Sequence, residues 1–218
     1  MIMDGNKRWS DSNGVSLKNG YIQGFNKIEE IIKICITKKI KYLTLYALSS
    51  ENIKRSSVSL IYEVLLSEYK KIFDNSKFLK AVKVNVIGEK NNISNKIIKI
   101  ISDIENKTKS NDKLFLNIAF NYGTDKEIIS IIKNILKKNI DNVNINNALI
   151  RNEMYLSNMP DPDILIRTGG YKRLSNFLLM NLSYTELFFT ETLWPDLKEK
   201  EILSIFEQFN KIKRNYGL

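Results

Sequence analysis

An α/β fold, with a mostly parallel central sheet and helices on both faces, is predicted by three observations. Strand-like apolar runs alternate with helical periodicities along the chain, the run at 42–48 is almost continuously apolar, and no linker interrupts the alternation. Strand–helix–strand connections are right-handed and make parallel neighbours. The 218 residues, 43% of them apolar, suffice for one well-filled core. With only Pro160, Pro162 and Pro195 and no Gly/Ser-rich stretch, the chain reads as a single domain over 1–218.

The elements follow in order. Phe25, Ile28, Ile31, Ile32, Cys35 and Ile36 recur at helical spacing, so 24–38 reads as a helix. The run Tyr-Leu-Thr-Leu-Tyr-Ala-Leu at 42–48 suits a strand buried on both faces. A helix follows over 58–73, with Val58, Leu60, Ile61, Val64, Leu65 and Leu66 as its apolar positions. A strand at 82–87, a helix at 93–106, a strand at 114–120 and a helix at 125–138 come next. A short helix near 146–155, a strand at 163–166 and a closing helix at 198–213 complete the pattern.

Composition narrows the chemistry. Thirty-four Lys and Arg against 24 Asp and Glu leave a net charge of +10, which suits nucleic acid, anionic lipid headgroups or phosphorylated substrates. There is no histidine, which excludes His-dependent triads, HExxH zinc sites and imidazole acid–base catalysis. Cys35 is the only cysteine, so no intramolecular disulfide framework or CxxC metal cluster exists. Carboxylates, Arg and Lys, hydroxyls, amides and backbone N–H groups remain. No stretch approaches the ~18–20 apolar residues that span a bilayer. Met1-Ile2-Met3-Asp4 is neither a signal nor a transit peptide. The expected location is therefore cytoplasmic, or peripheral to a membrane such as the endoplasmic reticulum.

In parallel sheets ligands bind outside the carboxyl ends of the strands, so those ends are where function is sought. Asp4-Gly5-Asn6-Lys7-Arg8-Trp9 follows the Ile2-Met3 fragment, and Ser49-Ser50-Glu51-Asn52-Ile53-Lys54-Arg55 follows the strand at 42–48. Asn121-Tyr122-Gly123-Thr124 and Arg167-Thr168-Gly169-Gly170, with Arg173, Ser175 and Asn176 just beyond, end two later strands. Each piece alone is an ordinary turn, cap or solvated arginine. Together they place glycines, hydroxyls, asparagines and arginines on one edge, as a phosphoryl site requires.

These segments resemble a known family. Asp4-Gly5-Asn6-x-Arg8-Trp9, Leu43-Thr44-Leu45-Tyr46-Ala47-x-Ser49-x-Glu51-Asn52-x-x-Arg55 and Asn117-x-Ala119-x-Asn121-Tyr122-Gly123 are similar to three signature segments of the cis-prenyltransferases. Asp161-x-Asp163-x-Leu165-Ile166-Arg167-Thr168-x-Gly170-x-x-Arg173-Leu174-Ser175-Asn176-Phe177 is similar to a fourth. Tyr184-x-Glu186-Leu187-x-Phe189, followed by Leu193-Trp194-Pro195-Asp196, is similar to a fifth. They run in family order over nearly the whole chain.

The resemblance implies a fold of the cis-prenyltransferase type and condensation of isopentenyl diphosphate with an allylic diphosphate, farnesyl diphosphate foremost. The product would be a long-chain cis-polyprenyl diphosphate, with diphosphate released. It further implies a Mg²⁺ cofactor, a homodimer, peripheral membrane contact for the lipid product, and no nucleic-acid partner. Asp4, Asn52 and Arg55 are implied as catalytic, and Asp4 and Glu186 as magnesium carboxylates. Gly5, Asn6 and Arg8 are implied as the pocket of the allylic diphosphate, with Lys18 and Tyr21 on that side, and Lys7, Trp9, Ser49 and Glu51 as further substrate-binding residues. Arg167, Arg173 and Ser175 match the isopentenyl diphosphate clamp.

Some positions depart from the family pattern. Leu17 and Tyr21 stand where the family has Arg and His, Ile53 replaces an aromatic, and Asp125 replaces Arg. Only Met1-Ile2-Met3 precedes Asp4, so the N-terminal strand is expected to be truncated. A non-catalytic prenyltransferase-like subunit is the second reading, and such subunits usually lose the Asp-Gly-Asn motif kept here. A basic nucleic-acid-binding protein is the third, disfavoured because the arginines gather at strand ends and not along one helix.

Overall fold

The β-branched and aromatic runs form the strands, and the amphipathic stretches between them form the covering helices. The computed structural model describes residues 1–54, 58–75, 80–91, 93–141 and 144–215. In chain order the elements are α1 (Asn6–Ser12), α2 (Leu17–Thr37), β1 (Tyr42–Ser49), α3 (Val58–Asn75), β2 (Val82–Ile87), α4 (Asn95–Thr108) and β3 (Leu114–Tyr122). They continue with α5 (Thr124–Lys137), α6 (Asn147–Glu153), β4 (Ile164–Arg167), β5 (Glu186–Phe189) and α7 (Glu199–Asn210).

All strand pairs are parallel. β3 lies between β1 and β2, with Leu45 opposite Ile118 and Val84 opposite Leu116. β4 pairs with β5, Ile164 opposite Glu186 and Arg167 opposite Phe189. Ile2 joins the two groups by bridging both Tyr46 of β1 and Arg167 of β4. Its N–H donates to the Ile166 carbonyl at 2.9 Å, its carbonyl accepts from Thr168 N–H at 3.2 Å, and the Met1 carbonyl accepts from Tyr46 N–H at 2.9 Å. Met1–Met3 thereby satisfies backbone groups of both neighbours and delivers Asp4 to the carboxyl edge of the sheet.

The main core packs Ile31, Ile32 and Cys35 of α2 against Leu43 and Leu45 of β1, Val84 of β2 and Leu116 of β3, closed by Trp194 and Ile202. A second cluster, beneath the candidate site, joins Ile2, Tyr46, Tyr122, Leu165 and Phe177. Tyr46 stacks on Phe177 at 4.4 Å between ring centroids. A cavity of about 720 Å³ opens at the amino ends of β1 and β4, lined by Met1, Ile34, Leu43, Ile164 and Phe206 among others. Among the described residues, no helix is long and apolar enough to cross a membrane.

Apart from the closing helix, which ends at Asn210 and not at 213, the sequence places most elements within two residues of their observed bounds, with three departures. The helix expected from 24 begins at Leu17, where the Ser16 hydroxyl accepts from Asn19 N–H at 3.3 Å. Asn6–Ser12, read as a loop, is a helix, and Glu186–Phe189, read only as a motif, is a strand. The first two departures share one cause. Gly20 and Gly24 look like helix breakers, yet α1 packs on them. A Cβ at Gly20 would lie 2.7 Å from the Asn6 carbonyl oxygen, and one at Gly24 2.1 Å from Asn6 Oδ1.

Candidate active site

Asp4 leaves the sheet on a backbone held from three directions. Its N–H donates to Thr168 Oγ1 at 3.0 Å, and its carbonyl accepts from the Thr168 hydroxyl at 2.8 Å and from Trp194 N–H at 3.0 Å. Gly5 then turns with φ of 120° and starts α1; a Cβ there would meet Leu193 Cδ2 at 2.9 Å. Only glycine satisfies both demands. The Asp4 carboxylate is consequently fixed at the sheet edge, with its side chain 28% exposed.

Arg167, the last residue of β4, is buried at 3% exposure. One of its terminal nitrogens donates to Asp4 Oδ2 at 2.7 Å; the other reaches Ser175 Oγ at 2.8 Å and the Arg173 carbonyl oxygen. Its Nε is buried with no hydrogen-bond partner among the described residues. Arg8, one turn into α1, donates to the other Asp4 oxygen at 3.2 Å. The carboxylate is thus shared by two guanidiniums, one buried and one partly exposed.

Asn176 ties three loops together. Its amide donates to Glu51 Oε1 at 3.0 Å and Asp125 Oδ1 at 2.7 Å, and its carbonyl accepts from Thr124 N–H at 2.9 Å. Ser175 and Asn176 adopt φ values of 50° and 63°, a conformation that L-residues hold only when the surroundings over-determine it. The hydroxyl of Tyr46 supplies part of that restraint by donating to the Ser175 carbonyl at 3.2 Å. Burial pushes the Glu51 carboxyl up, but hydrogen bonds from Asn176, the Glu51 backbone and Ser49 outweigh it and leave the group below the usual glutamate range. Ser49 Oγ also accepts from Asn52 N–H at 3.2 Å, starting the short helical turn Asn52–Lys54.

The structure therefore brings Asp4, Gly5, Arg8, Ser49, Glu51, Asn52, Arg167, Arg173 and Ser175 to one edge. Other expected residues sit differently. Asn6 turns its Oδ1 toward Gly24, where it is buried without a hydrogen-bond partner among the described residues. Lys7 is exposed, and the Trp9 indole donates to Asp196 Oδ1 at 2.8 Å. Lys18 forms an ion pair with Glu63 of α3, and Tyr21 is half-buried in the first turns of α2. Glu186 opens β5 at the opposite end from Arg167, three strand residues or about 10 Å away, and so is not beside Asp4. Arg55 lies outside the described residues. Tyr171 was missed; its ring sits among Arg8, Arg167 and Arg173. No sequence signal marked it, because it occupies an unassigned position between Gly170 and Arg173.

Chemically, the arrangement is an anion pocket beside a single carboxylate. The in-plane donors of arginine fit phosphate oxygens, and the buried, unpartnered Arg167 Nε shows donor capacity still unused. Among the described residues, no group of three or more His, Cys, Asp or Glu side chains could hold a metal ion. A metal cage made by protein alone does not fit. Mg²⁺ held by one carboxylate and substrate phosphate oxygens does, because this ion keeps few protein ligands.

Comparison with known proteins agrees with this geometry. The family of prenyltransferases described as undecaprenyl diphosphate synthase matches residues 2–217. Isoprenyl transferases from Aquifex pyrophilus and from Fusobacterium nucleatum subsp. nucleatum are each 39% identical to this chain, over 100% of it and 94% of their own length. One from Rickettsia felis is 40% identical, over 100% of this chain and 92% of its own. Among solved structures, lavandulyl diphosphate synthase from Lavandula x intermedia, in complex with dimethylallyl diphosphate, superposes with a TM-score of 0.90 at 28% identity, covering 100% of this chain and 96% of its own. A probable undecaprenyl diphosphate synthase from Campylobacter jejuni gives 0.78 at 33% identity, covering 90% of this chain and 92% of its own.

Proposed function

Because the chain belongs to the undecaprenyl diphosphate synthase family and is a prenyltransferase acting on isoprenoid diphosphates, we propose that it condenses isopentenyl diphosphate with an allylic diphosphate, farnesyl diphosphate foremost. The product is a long-chain cis-polyprenyl diphosphate. In each round the allylic C–O bond breaks with diphosphate leaving, a C–C bond forms to the isopentenyl alkene, and one proton is lost.

The observation that carries this reading is the convergence of Arg8, Arg167 and Ser175 around Asp4 at the carboxyl ends of the strands. Gly5 and Arg8 border the proposed allylic diphosphate, and Arg167, Arg173 and Ser175 the isopentenyl diphosphate. Asn52 and Arg55 are proposed to orient diphosphate and assist proton loss. Donors fixed before substrate arrives stabilise charge on the leaving group without reorganising, an effect of several kcal/mol. Asp4 would hold Mg²⁺ together with phosphate oxygens, and the ion, when bound, would neutralise the leaving diphosphate.

The proposal includes a homodimer, supported by the exposed Ile128, Ile132 and Leu136 along α5, the last of them 69% exposed. It also includes peripheral membrane contact for the lipid product, favoured by the net charge of +10, and no nucleic-acid partner. Radiolabelled isopentenyl diphosphate, supplied with farnesyl diphosphate and Mg²⁺, should enter a long-chain product, and chain-length analysis comes from the same tube. No incorporation with farnesyl or geranylgeranyl diphosphate would overturn the proposal; a single-addition product would overturn the long-chain part.

A further inference from the structure

Three guanidinium groups converge on one exposed aromatic ring. The Cζ of Arg173 lies 4.0 Å from the Tyr171 ring centroid, that of Arg8 4.9 Å and that of Arg167 5.8 Å. All fall within the ~6 Å over which a ring face attracts a cation. Such crowding of like charges is unfavourable by itself. Asp4 offsets it for Arg8 and Arg167, but among the described residues Arg173 has no carboxylate partner, and its close contact is the Tyr171 face.

The loop is shaped to put the ring there. Gly169 and Gly170 turn with φ of 82° and 79°, and a Cβ on Gly169 would lie 2.5 Å from Arg8 Nη2. A Cβ at Gly169 would push Arg8 Nη2 aside and strain the left-handed backbone, so glycine suits the turn that presents residue 171 among the three arginines.

We propose that Tyr171 is a positioning residue, a platform whose ring holds the Arg173 guanidinium and steadies those of Arg8 and Arg167, so that the N–H donors not already spent on Asp4, Ser175 and the Arg173 carbonyl can fork onto diphosphate oxygens. A guanidinium stacked by its face keeps all its edge donors available. Ordering long side chains before the ligand arrives reduces what their immobilisation subtracts from affinity. The inference rests on the diphosphate reading of the site, not on which prenyl chain is made.

The test uses Tyr171→Phe, Tyr171→Leu and Tyr171→Ala. Binding of inorganic diphosphate and of isopentenyl diphosphate is measured by calorimetry with Mg²⁺, alongside steady-state kinetics. Loss of the ring should raise Kd roughly tenfold in the Ala and Leu variants, and Phe should stay within about twofold of the parent. KM for isopentenyl diphosphate should rise in parallel while kcat changes by less than about twofold. Tyr171 is 44% exposed, so thermal stability should hold in all three. A Leu variant binding as tightly as Phe would show that bulk, not the π face, matters, and a Phe variant as weak as Ala would assign the effect to the hydroxyl; either overturns the platform. Diphosphate binding that ignores all three substitutions overturns it while leaving the site reading intact. A parent protein that binds no diphosphate sinks both.

Discussion

Asp4→Asn should do two opposite things: nearly abolish turnover, and tighten binding of metal-free diphosphate. The carboxylate accepts from Arg167 at 2.7 Å and from Arg8 at 3.2 Å, with Arg167 3% and Arg8 43% exposed on the side chain. A charge-assisted bond to the buried partner is worth about 1.5–3 kcal/mol, and the bond to the exposed one about 0–1 kcal/mol. Folding therefore loses roughly 1.5–4 kcal/mol when the charge is removed, a fall in Tm of about 3–16 °C for a chain of this size. The two released guanidiniums become available to phosphate oxygens. If about half of that energy is regained on binding, the Kd for inorganic diphosphate in EDTA should drop roughly 4- to 30-fold. With Mg²⁺ the order should reverse, because the variant lacks the carboxylate that shares the ion. Calorimetry with and without chelator, beside an incorporation assay, reads all of this. Metal-free diphosphate that binds Asp4→Asn no better than the parent would refute the idea that Asp4 competes with substrate for these arginines.

Other consequences are more local. Arg173→Ala should raise KM for isopentenyl diphosphate more than tenfold and leave the allylic KM within about twofold, since Arg173 makes no contact with Asp4; Arg167→Ala should impair both substrates and kcat, because it bridges Asp4 and Ser175. Steady-state kinetics with each substrate varied decides this, and matched effects of the two variants would show the subsites misassigned. Gly169→Ala should lose at least tenfold in kcat/KM, because its Cβ would sit 2.5 Å from Arg8 Nη2 at a φ of 82°; unchanged kinetics would mean the loop relaxes freely. The Arg151 pair holds Asp161 below the usual aspartate range, with help from Asn181. A depressed carboxyl stabilises the fold above its unfolded pKa and loses that contribution as pH falls through its lower folded value. The Tm difference between the parent and Arg151→Ala should therefore be present near pH 7 and shrink in acid, and a difference independent of pH would contradict the ion pair.

The strand ends were readable because their residues are special for local reasons. Glycines, hydroxyls and arginines at the carboxyl edge of a parallel sheet have few structural reasons to gather, so Asp4, Arg8, Arg167 and Ser175 group together on sequence alone. What they do to one another was not readable, since Arg167 and Asp4 are 163 residues apart in sequence and their bond exists only because Ile2 bridges β1 and β4. The same holds for Asn176, whose contacts to Glu51 and Asp125 depend on left-handed backbone at Ser175 and Asn176 that propensity would not assign to a serine.

The structure departs from the sequence reading where a residue answers to a tertiary neighbour. Gly20 and Gly24 disguised the first turns of α2, though each is glycine so that α1 can approach. Lys18, expected at the allylic diphosphate, is paired with Glu63, and Glu186 faces the far end of β5 from Asp4. Tyr171 escaped for a deeper reason. A tyrosine between a glycine turn and an arginine is unremarkable as sequence; only the convergence of three arginines from α1, β4 and the following loop gives its ring a task. Residues that bear charge or free the backbone announce themselves in a sequence. Residues that position such groups become visible only when the fold has placed them in contact, and substitutions that spare the charges yet change affinity are where these should be sought.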